Sequence, residues 1–294
     1  MVITRLYGGL GNQMFQYAAG LAVSRRLGTA LYVDTLWFEP RVHPPDAPPI
    51  RRYGLDVFGI SPGVPPLLRV ALRLGLRRPA VIREEAARAG AELDGVEGDV
   101  ILDGYWQSAA YFEHAEHDVR DALRFPAPRS AAARRLLDEI ARGASVSLHV
   151  RRGDYVTNPK HRRLFGVLDP DYYAAATSEI HRRRGAGLDL YVFSDDVTWC
   201  RENLELRDAA RVTFVTDTAG DAEDLMLMAA CRDHVIANSS FSWWGAWLGT
   251  AADGIVVAPA RWANDPALER PDRIPPGWIR LEIQEGRQPP VAPR

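Results

Sequence analysis

Short runs of strand-forming, largely hydrophobic residues recur through the second half of the chain, at Val146–Val150, Leu188–Phe193, Arg211–Val215, His234–Ala237 and Ile255–Val257. Segments with helical spacing lie between them, near 170–184, 196–204, 221–231 and 240–251. Strands alternating with helices predict βαβ units and a parallel sheet covered on both faces. In the first half, Val2–Tyr7 reads as a strand, Gly8–Gly11 as a glycine-rich turn and Asn12–Leu27 as a helix. Met14, Tyr17, Ala18, Leu21 and Ala22 recur at helical spacing within that helix. Leu31–Val33 and Val100–Tyr105 are further strands, 109–123 and 130–141 further helices, and the proline-rich Glu39–Pro49 a loop. No 20–50-residue repeat interrupts this order. The pattern predicts an α/β protein of two Rossmann-like lobes, 1–143 and 144–283, meeting near 142–145. A proline-rich tail, 284–294, is expected to wrap the surface or fray.

Composition narrows the class. The chain has 294 residues, 47% hydrophobic and 25% charged, which is ordinary globular usage. A net charge of −2 is too balanced for a general nucleic-acid binder. Lys160 is the only lysine, so nearly every positive charge is an arginine and no single arginine is informative by type alone. Cys200 and Cys231 make no disulfide framework and fit a reducing compartment. Two uncharged stretches, Leu6–Ser24 and Val235–Ala252, carry Asn12, Gln13, Gln16 and Asn238, Ser239, Ser240, Ser242, Thr250, too polar for a signal peptide or a lipid-spanning helix. The chain reads as soluble and cytoplasmic. Leu67–Arg78 is basic and amphipathic; its leucines are expected to pack inward. The alternative, a membrane-surface helix, would suit a lipid-linked substrate.

Candidate chemistry gathers at strand ends, where open parallel sheets bind ligands. The first strand of the second half runs into His149-Val-Arg151-Arg152-Gly153-Asp154-Tyr155, the next into Ser194-Asp195-Asp196, and later ones into Thr216-Asp217 and Asn238-Ser239-Ser240. Strand alternation puts His149, Arg151 and Gly153 on one side and Arg152 and Asp154 on the other. A guanidinium at a strand end suits bidentate phosphate binding; Arg151 is assigned to phosphate and Arg152 to a structural carboxylate pair. Ser239, Ser240 and Phe241 open an aromatic helix, whose free N–H groups favour an anion, although an ordinary serine cap looks the same. Trp243, Trp244 and Trp247 lie at i, i+1 and i+4, so two of them share a face and are expected in the core, with a sugar-stacking tryptophan as the alternative. Asp169-Pro170-Asp171 resembles a metal-binding D-x-D, but an aspartate followed by proline at the first helical position is a strong helix start. His114 and His117 lack a third ligand at zinc spacing. Gly8-Gly9-Leu10-Gly11 is not the dinucleotide fingerprint, which disfavours a nicotinamide cofactor.

Gly8-Gly9-Leu10-Gly11-Asn12-Gln13-Met14-Phe15-Gln16-Tyr17, His149–Tyr155, Ser194-Asp195-Asp196 and Asn238–Trp244 together resemble the bacterial α-1,2-fucosyltransferases of glycosyltransferase family 11. The motifs occur in family order from residue 8 to about 250. The resemblance implies a GT-B-type fold with an interlobe cleft, an acceptor-side lobe 1–143 and a donor lobe 144–283. It implies GDP-β-L-fucose as donor, the 2-hydroxyl of a terminal galactose as acceptor, anomeric inversion and no metal or other cofactor. The acceptor would be a glycan of an oligosaccharide or O-antigen pathway, lipid-linked in some relatives, with no nucleic acid as partner and peripheral contact with the inner membrane face as one consequence. His149 and Arg151 would lie at the nucleotide with Arg151 on the pyrophosphate. Arg152, Ser194, Asp195, Asn238, Ser239, Ser240 and Phe241 would complete the donor site, and Glu223 or Asp224 would hold the ribose. Gly9, Asn12 and Gln13 would shape the donor–acceptor junction. Arg151 would stabilise the departing GDP, with Asp154 the motif's nearest carboxylate for the acceptor proton or the partner of an arginine. A fucosyltransferase of other regiochemistry or with a protein acceptor would share the arginine motif without the N-terminal one, and a non-catalytic nucleotide-sugar or glycan-binding protein would bind GDP and transfer nothing.

Overall fold

The computed structural model describes residues 1–39, 51–84, 91–185 and 187–282. Most of the expected proline-rich loop and the tail from Gln284 lie outside them.

The first half runs β1 (Val2–Arg5), α1 (Leu10–Leu27), β2 (Leu31–Asp34), α2 (Pro66–Arg73), β3 (Ala80–Arg83), α3 (Ala91–Asp94), β4 (Val100–Asp103), α4 (Glu116–Ala122) and α5 (Ala131–Ile140). Its strands form a parallel sheet in the order β2-β1-β4-β3. The second half runs β5 (Ala144–Val150), α6 (Gly153–Thr157), α7 (Pro159–Phe165), α8 (Pro170–Arg184), β6 (Leu188–Ser194), α9 (Val197–Asn203), β7 (Ala209–Phe214), α10 (Asp221–Ala230), β8 (Asp233–Val235), α11 (Ser240–Trp247), β9 (Val256–Pro259) and β10 (Ile279–Leu281). These strands form a second parallel sheet, β10-β9-β8-β5-β6-β7.

Local chemistry sets the elements. Gly28 ends α1 in the left-handed region at φ 58°, and its N–H and that of Thr29 satisfy the carbonyls of Arg25 and Ser24. Pro170 opens α8, where its missing N–H is no loss. Val146, Leu148 and Val150 of β5 join Tyr172, Tyr173, Ala176 and Ile180 of α8 in one buried cluster. On α1, Met14, Phe15, Ala18 and Ala22 are buried with Trp243 and Trp244 of α11, so a single core links residues of both sheets. No described helix is long and apolar enough to cross a membrane.

Several expectations change. The helix expected over 109–123 is two 3-10 turns, Ala109–Tyr111 and Glu113–Ala115, followed by α4. The one expected to reach 251 stops at Trp247, before Gly249. The edge strands β3 and β10 were not expected. The helix over 67–78 covers only 66–73, and its outer leucines face solvent instead of packing inward: Leu67 is 86% and Leu74 68% exposed.

Candidate functional site

Each sheet begins with a strand that later acquires neighbours on both sides: β1 lies between β2 and β4, and β5 between β6 and β8. These are the switch points at whose carboxyl ends parallel sheets leave a crevice. Both open onto one cleft of about 660 Å³. Tyr7–Asn12 enter from β1, Glu84 from β3 and Tyr105 and Gln107 from β4; His149, Arg151, Asp154 and Tyr155 come from β5, Ser194 and Asp195 from β6, and Ser239–Phe241 from β8.

The first and last motifs are in direct contact there. A Cβ on Gly11 would sit 2.6 Å from the Phe241 nitrogen and the Ser240 carbonyl carbon, backbone that cannot step aside. Trp244 Nε1 donates to the Gly11 carbonyl at 3.0 Å. Asn12 Oδ1 accepts from both Ser240 Oγ and Gln107 Nε2 at 2.7 Å, binding α1, the end of β4 and the start of α11 together. Gly8, at φ 81°, makes the turn that delivers this segment. Gln13 does not reach the cleft. It is buried, with its carboxamide donating to the Gly8 and Arg52 carbonyls and accepting from Gly54 N–H, so it holds the turn rather than a ligand.

At the end of β5, helix α6 starts at Gly153, and its turn overrides strand alternation by bringing Arg151 and Asp154 to the same side. Arg151 pairs with Asp154 and, at 2.8 Å, with Asp195. Asp154 also faces His161 Nδ1 at 3.1 Å and Arg51 at 3.5 Å. Burial would raise the Asp154 carboxyl, but the charges of Arg151, Arg51 and His161 outweigh it and hold it below the ordinary range. Arg152 points away from the cleft, pairs with Asp196 at 3.1 Å and lies 3.7 Å over the Trp199 ring. Burial and Arg151 push His149 down to about 3, so the imidazole facing the cleft is neutral, with Nδ1 unpartnered.

Other assigned residues divide in the same way. Asn238 is buried and its amide donates to the Phe165 and Trp262 carbonyls, fixing the loops behind the cleft. Of the N–H groups expected to be free at the start of α11, that of Ser239 goes to the Ala237 carbonyl and that of Phe241 to Ser239 Oγ, leaving only that of Ser240. Glu223 is unavailable to a ribose: it accepts from Arg129 N–H, Ser130 N–H and Oγ, and Ala219 N–H. Those donors outweigh burial and hold it at about 2. Asp224 lines the cleft beside Met228 and Phe193, and burial raises it to about 6. Asp169 and Asp171 are not among the cleft-lining residues, and Asp169 stands at the start of α8. Trp243 and Trp244 are buried, stacked among Phe15, Phe112 and Trp247.

Sequence reading missed the C-terminal wall, which is irregular and carries no periodic signature. Trp262, Arg270 and Arg273 come from it. Arg270 is neutralised by Glu84 and donates to Tyr111 Oη at 2.7 Å. Arg273 is 7% exposed, has an unpartnered Nε and makes no ion pair among the described residues. Burial drops its pKa to about 10, still charged at neutral pH, and its guanidinium lies 5.4 Å from the Trp262 ring. It is a desolvated cation on the cleft wall, favoured at a distance by Glu269 but paired with no carboxylate among the described residues.

Residues 98–282 match the sequence family described as Glycosyl transferase family 11. The chain is 32% identical to an α-1,2-colitosyltransferase of Escherichia coli over 96% of its own length and 99% of that protein's. It is 30% identical to the O-antigen biosynthesis glycosyltransferase WbnK of Escherichia coli, over 87% and 93%. With the galactoside α-(1,2)-fucosyltransferase 1 of Ateles belzebuth it shares 29% identity over 82% of this chain and 63% of that one. Among solved structures, the fucosyltransferase NodZ from Bradyrhizobium aligns over 83% of this chain and 91% of that one, with 16% identity and a TM-score of 0.46.

Proposed function

This chain belongs to glycosyltransferase family 11, and on that footing we propose that it moves L-fucose from GDP-β-L-fucose to the 2-hydroxyl of a terminal galactose in a glycan, inverting the anomeric centre. The observation that carries the reading is the convergence of the separate motifs on one cleft between two parallel sheets. In this reading the halves are the lobes of a GT-B-type enzyme, with the acceptor against 1–143 and the nucleotide against 144–283. Asp224 takes the ribose, with Met228 and Phe193 beside the nucleoside. Arg151 meets the diphosphate, joined by Arg273 and the Ser240 N–H.

The chemistry follows from charge. As the C1–O bond to GDP breaks, negative charge grows on the diphosphate and positive charge on the sugar carbon. Cations already fixed in a partly desolvated cleft stabilise the leaving group without reorganising. His149, neutral beside Arg151, adds no repulsion. The galactose oxygen attacks C1 from the face opposite GDP, which fixes the inversion. As the new C–O bond forms and the C1–O bond to GDP breaks, the hydroxyl proton passes to a water that relays it to solvent. Asp154, held below the ordinary range beside Arg151, Arg51 and His161, is a poor proton acceptor and we assign it to positioning Arg151. Transfer is proposed to need no metal, since the acidic D-x-D pair lies at a helix start and not on the cleft.

Incubation with GDP-fucose and lactose tests the function: fucosyl-lactose and GDP should form in equal amounts. GDP release without glycan product, or binding without turnover, would contradict it. Similarity to a colitosyltransferase favours a second reading, with GDP-colitose as donor. Colitose is L-fucose without its 3-hydroxyl. A site that hydrogen-bonds that hydroxyl should prefer GDP-fucose by about 10⁴-fold or more in kcat/KM; a preference the other way would assign the deoxy sugar.

A further inference from the structure

Eight large hydrophobic side chains are exposed among the described residues, and five of them, Leu67, Val70, Leu74, Leu76 and Val81, fall within one short stretch that runs from α2 through the following turn to β3. Helix α2 has two apolar faces. Leu68, Ala71 and Leu72 turn inward and are half-buried, whereas Leu67, Val70 and Leu74, spaced i, i+3 and i+7, form a stripe facing solvent. Leu76, 74% exposed, extends it. The surrounding charge has one sign: from Val57 to Arg83 the chain carries Arg69, Arg73, Arg77, Arg78 and Arg83 and no acidic residue. Distant aspartates meet only some of them, Asp99 reaching Arg77 at 2.7 Å and Asp103 reaching Arg83 at 3.8 Å. Arg73 and Arg78 are exposed with no carboxylate partner among the described residues.

We propose that this face docks on an anionic lipid bilayer. Aliphatic side chains in the open, bordered by arginines, fit the boundary between acyl chains and acidic headgroups, where the leucines leave water and the guanidinium groups meet phosphate. Charge argues against a second copy of this chain, because pairing the face with itself would bring ten arginines together, of which only the two copies of Arg77 and of Arg83 meet a carboxylate among the described residues. The place in the fold gives the contact a use. β3 is the edge of the first sheet, and its next residue, Glu84, lines the cleft. A bilayer seated on α2 and β3 therefore lies along the wall that leads to the site, where a glycan on a lipid carrier would be presented. The docking itself does not depend on which sugar is transferred.

Co-sedimentation of the full chain with phosphatidylglycerol-containing vesicles and with pure phosphatidylcholine vesicles tests it. Binding should favour the anionic vesicles and weaken as salt rises. Each arginine at an anionic surface is worth roughly fivefold in partitioning, so Arg73→Gln with Arg78→Gln should cost about 25-fold. Leu67→Ser with Leu74→Ser should cost more than tenfold, since a leucine buried from water contributes about that much alone. Turnover on a soluble acceptor should be unchanged in both variants. Equal binding to the two vesicle types, or unaltered binding by the arginine variant, would overturn the proposal. So would light scattering that shows a dimer which the leucine variant dissolves, since a second copy would then be the occupant.

Discussion

Arg151 and Arg273 face the same cleft in opposite electrostatic conditions. Arg151 is compensated twice, by Asp154 and Asp195, whereas Arg273 makes no ion pair among the described residues and feels Glu269 only at a distance. A buried charge without a direct ion pair costs stability in the ligand-free protein, and that penalty is relieved when an anion arrives. Arg273→Met should therefore have opposite effects on two readouts. GDP affinity should fall by about 10- to 100-fold, the range of a lost charge-assisted hydrogen bond. Thermal melting of the ligand-free protein should stay level or rise. A merely structural arginine would lose both together. Asp154→Asn probes the neighbouring cluster. The amide keeps the shape but loses the charge that orients Arg151, so GDP affinity and turnover should decline in parallel. Calorimetric titration beside a rate assay separates this from the alternative, in which normal affinity with collapsed turnover would make Asp154 the base. Legibility at this scale was uneven. The motif residues were visible because polar groups clustered after apolar strands, but Gln13, Asn238 and Glu223 belong to the supporting hydrogen bonds. Nothing in residue type separates a side chain that meets a ligand from one that braces the loop beside it.

The elements read most clearly where burial is two-sided. β5 and β6 are buried at nearly every position because both faces of the second sheet are covered, and their predicted limits differ from the structure by only a residue or two. The edge strand β3, mostly exposed, has no such signature. The 3-10 turns before α4 pack Tyr111, Phe112 and Ala115 into the core at helix-like spacing, which explains why that stretch read as one continuous helix. On α2 the apolar period was legible but its direction was not, since periodicity marks a stripe without saying what covers it. The contact of α1 with α11 could not be read at all, because it depends on backbone approaching backbone across 230 positions. It is testable through Gly11→Ala. The added methyl meets Ser240 and Phe241 backbone, and overpacking of this kind costs about 1–3 kcal/mol. Melting should fall by a few degrees, and turnover should fall further than GDP binding, because the displaced start of α11 rims the site while the β5 end is untouched. A variant with wild-type melting and turnover would show that the helices can part without consequence.

At the scale of the molecule, two parallel sheets bring their switch points to one cleft, and the chemistry proposed there relies on arginines and a helix start instead of a bound metal. Excess chelator should accordingly leave the initial rate unchanged; loss of activity restored by Mn²⁺ or Mg²⁺ would show that the fixed cations are not sufficient. The central claim is a single displacement at the sugar carbon with oxygen 2 of galactose as nucleophile. Nuclear magnetic resonance of the product formed from GDP-β-L-fucose and lactose tests it most directly. The account predicts one new anomeric signal, in the α configuration, correlated through the glycosidic bond to carbon 2 of galactose. A β-linked product, a bond to any other galactose position, or free fucose in place of a glycan would contradict it.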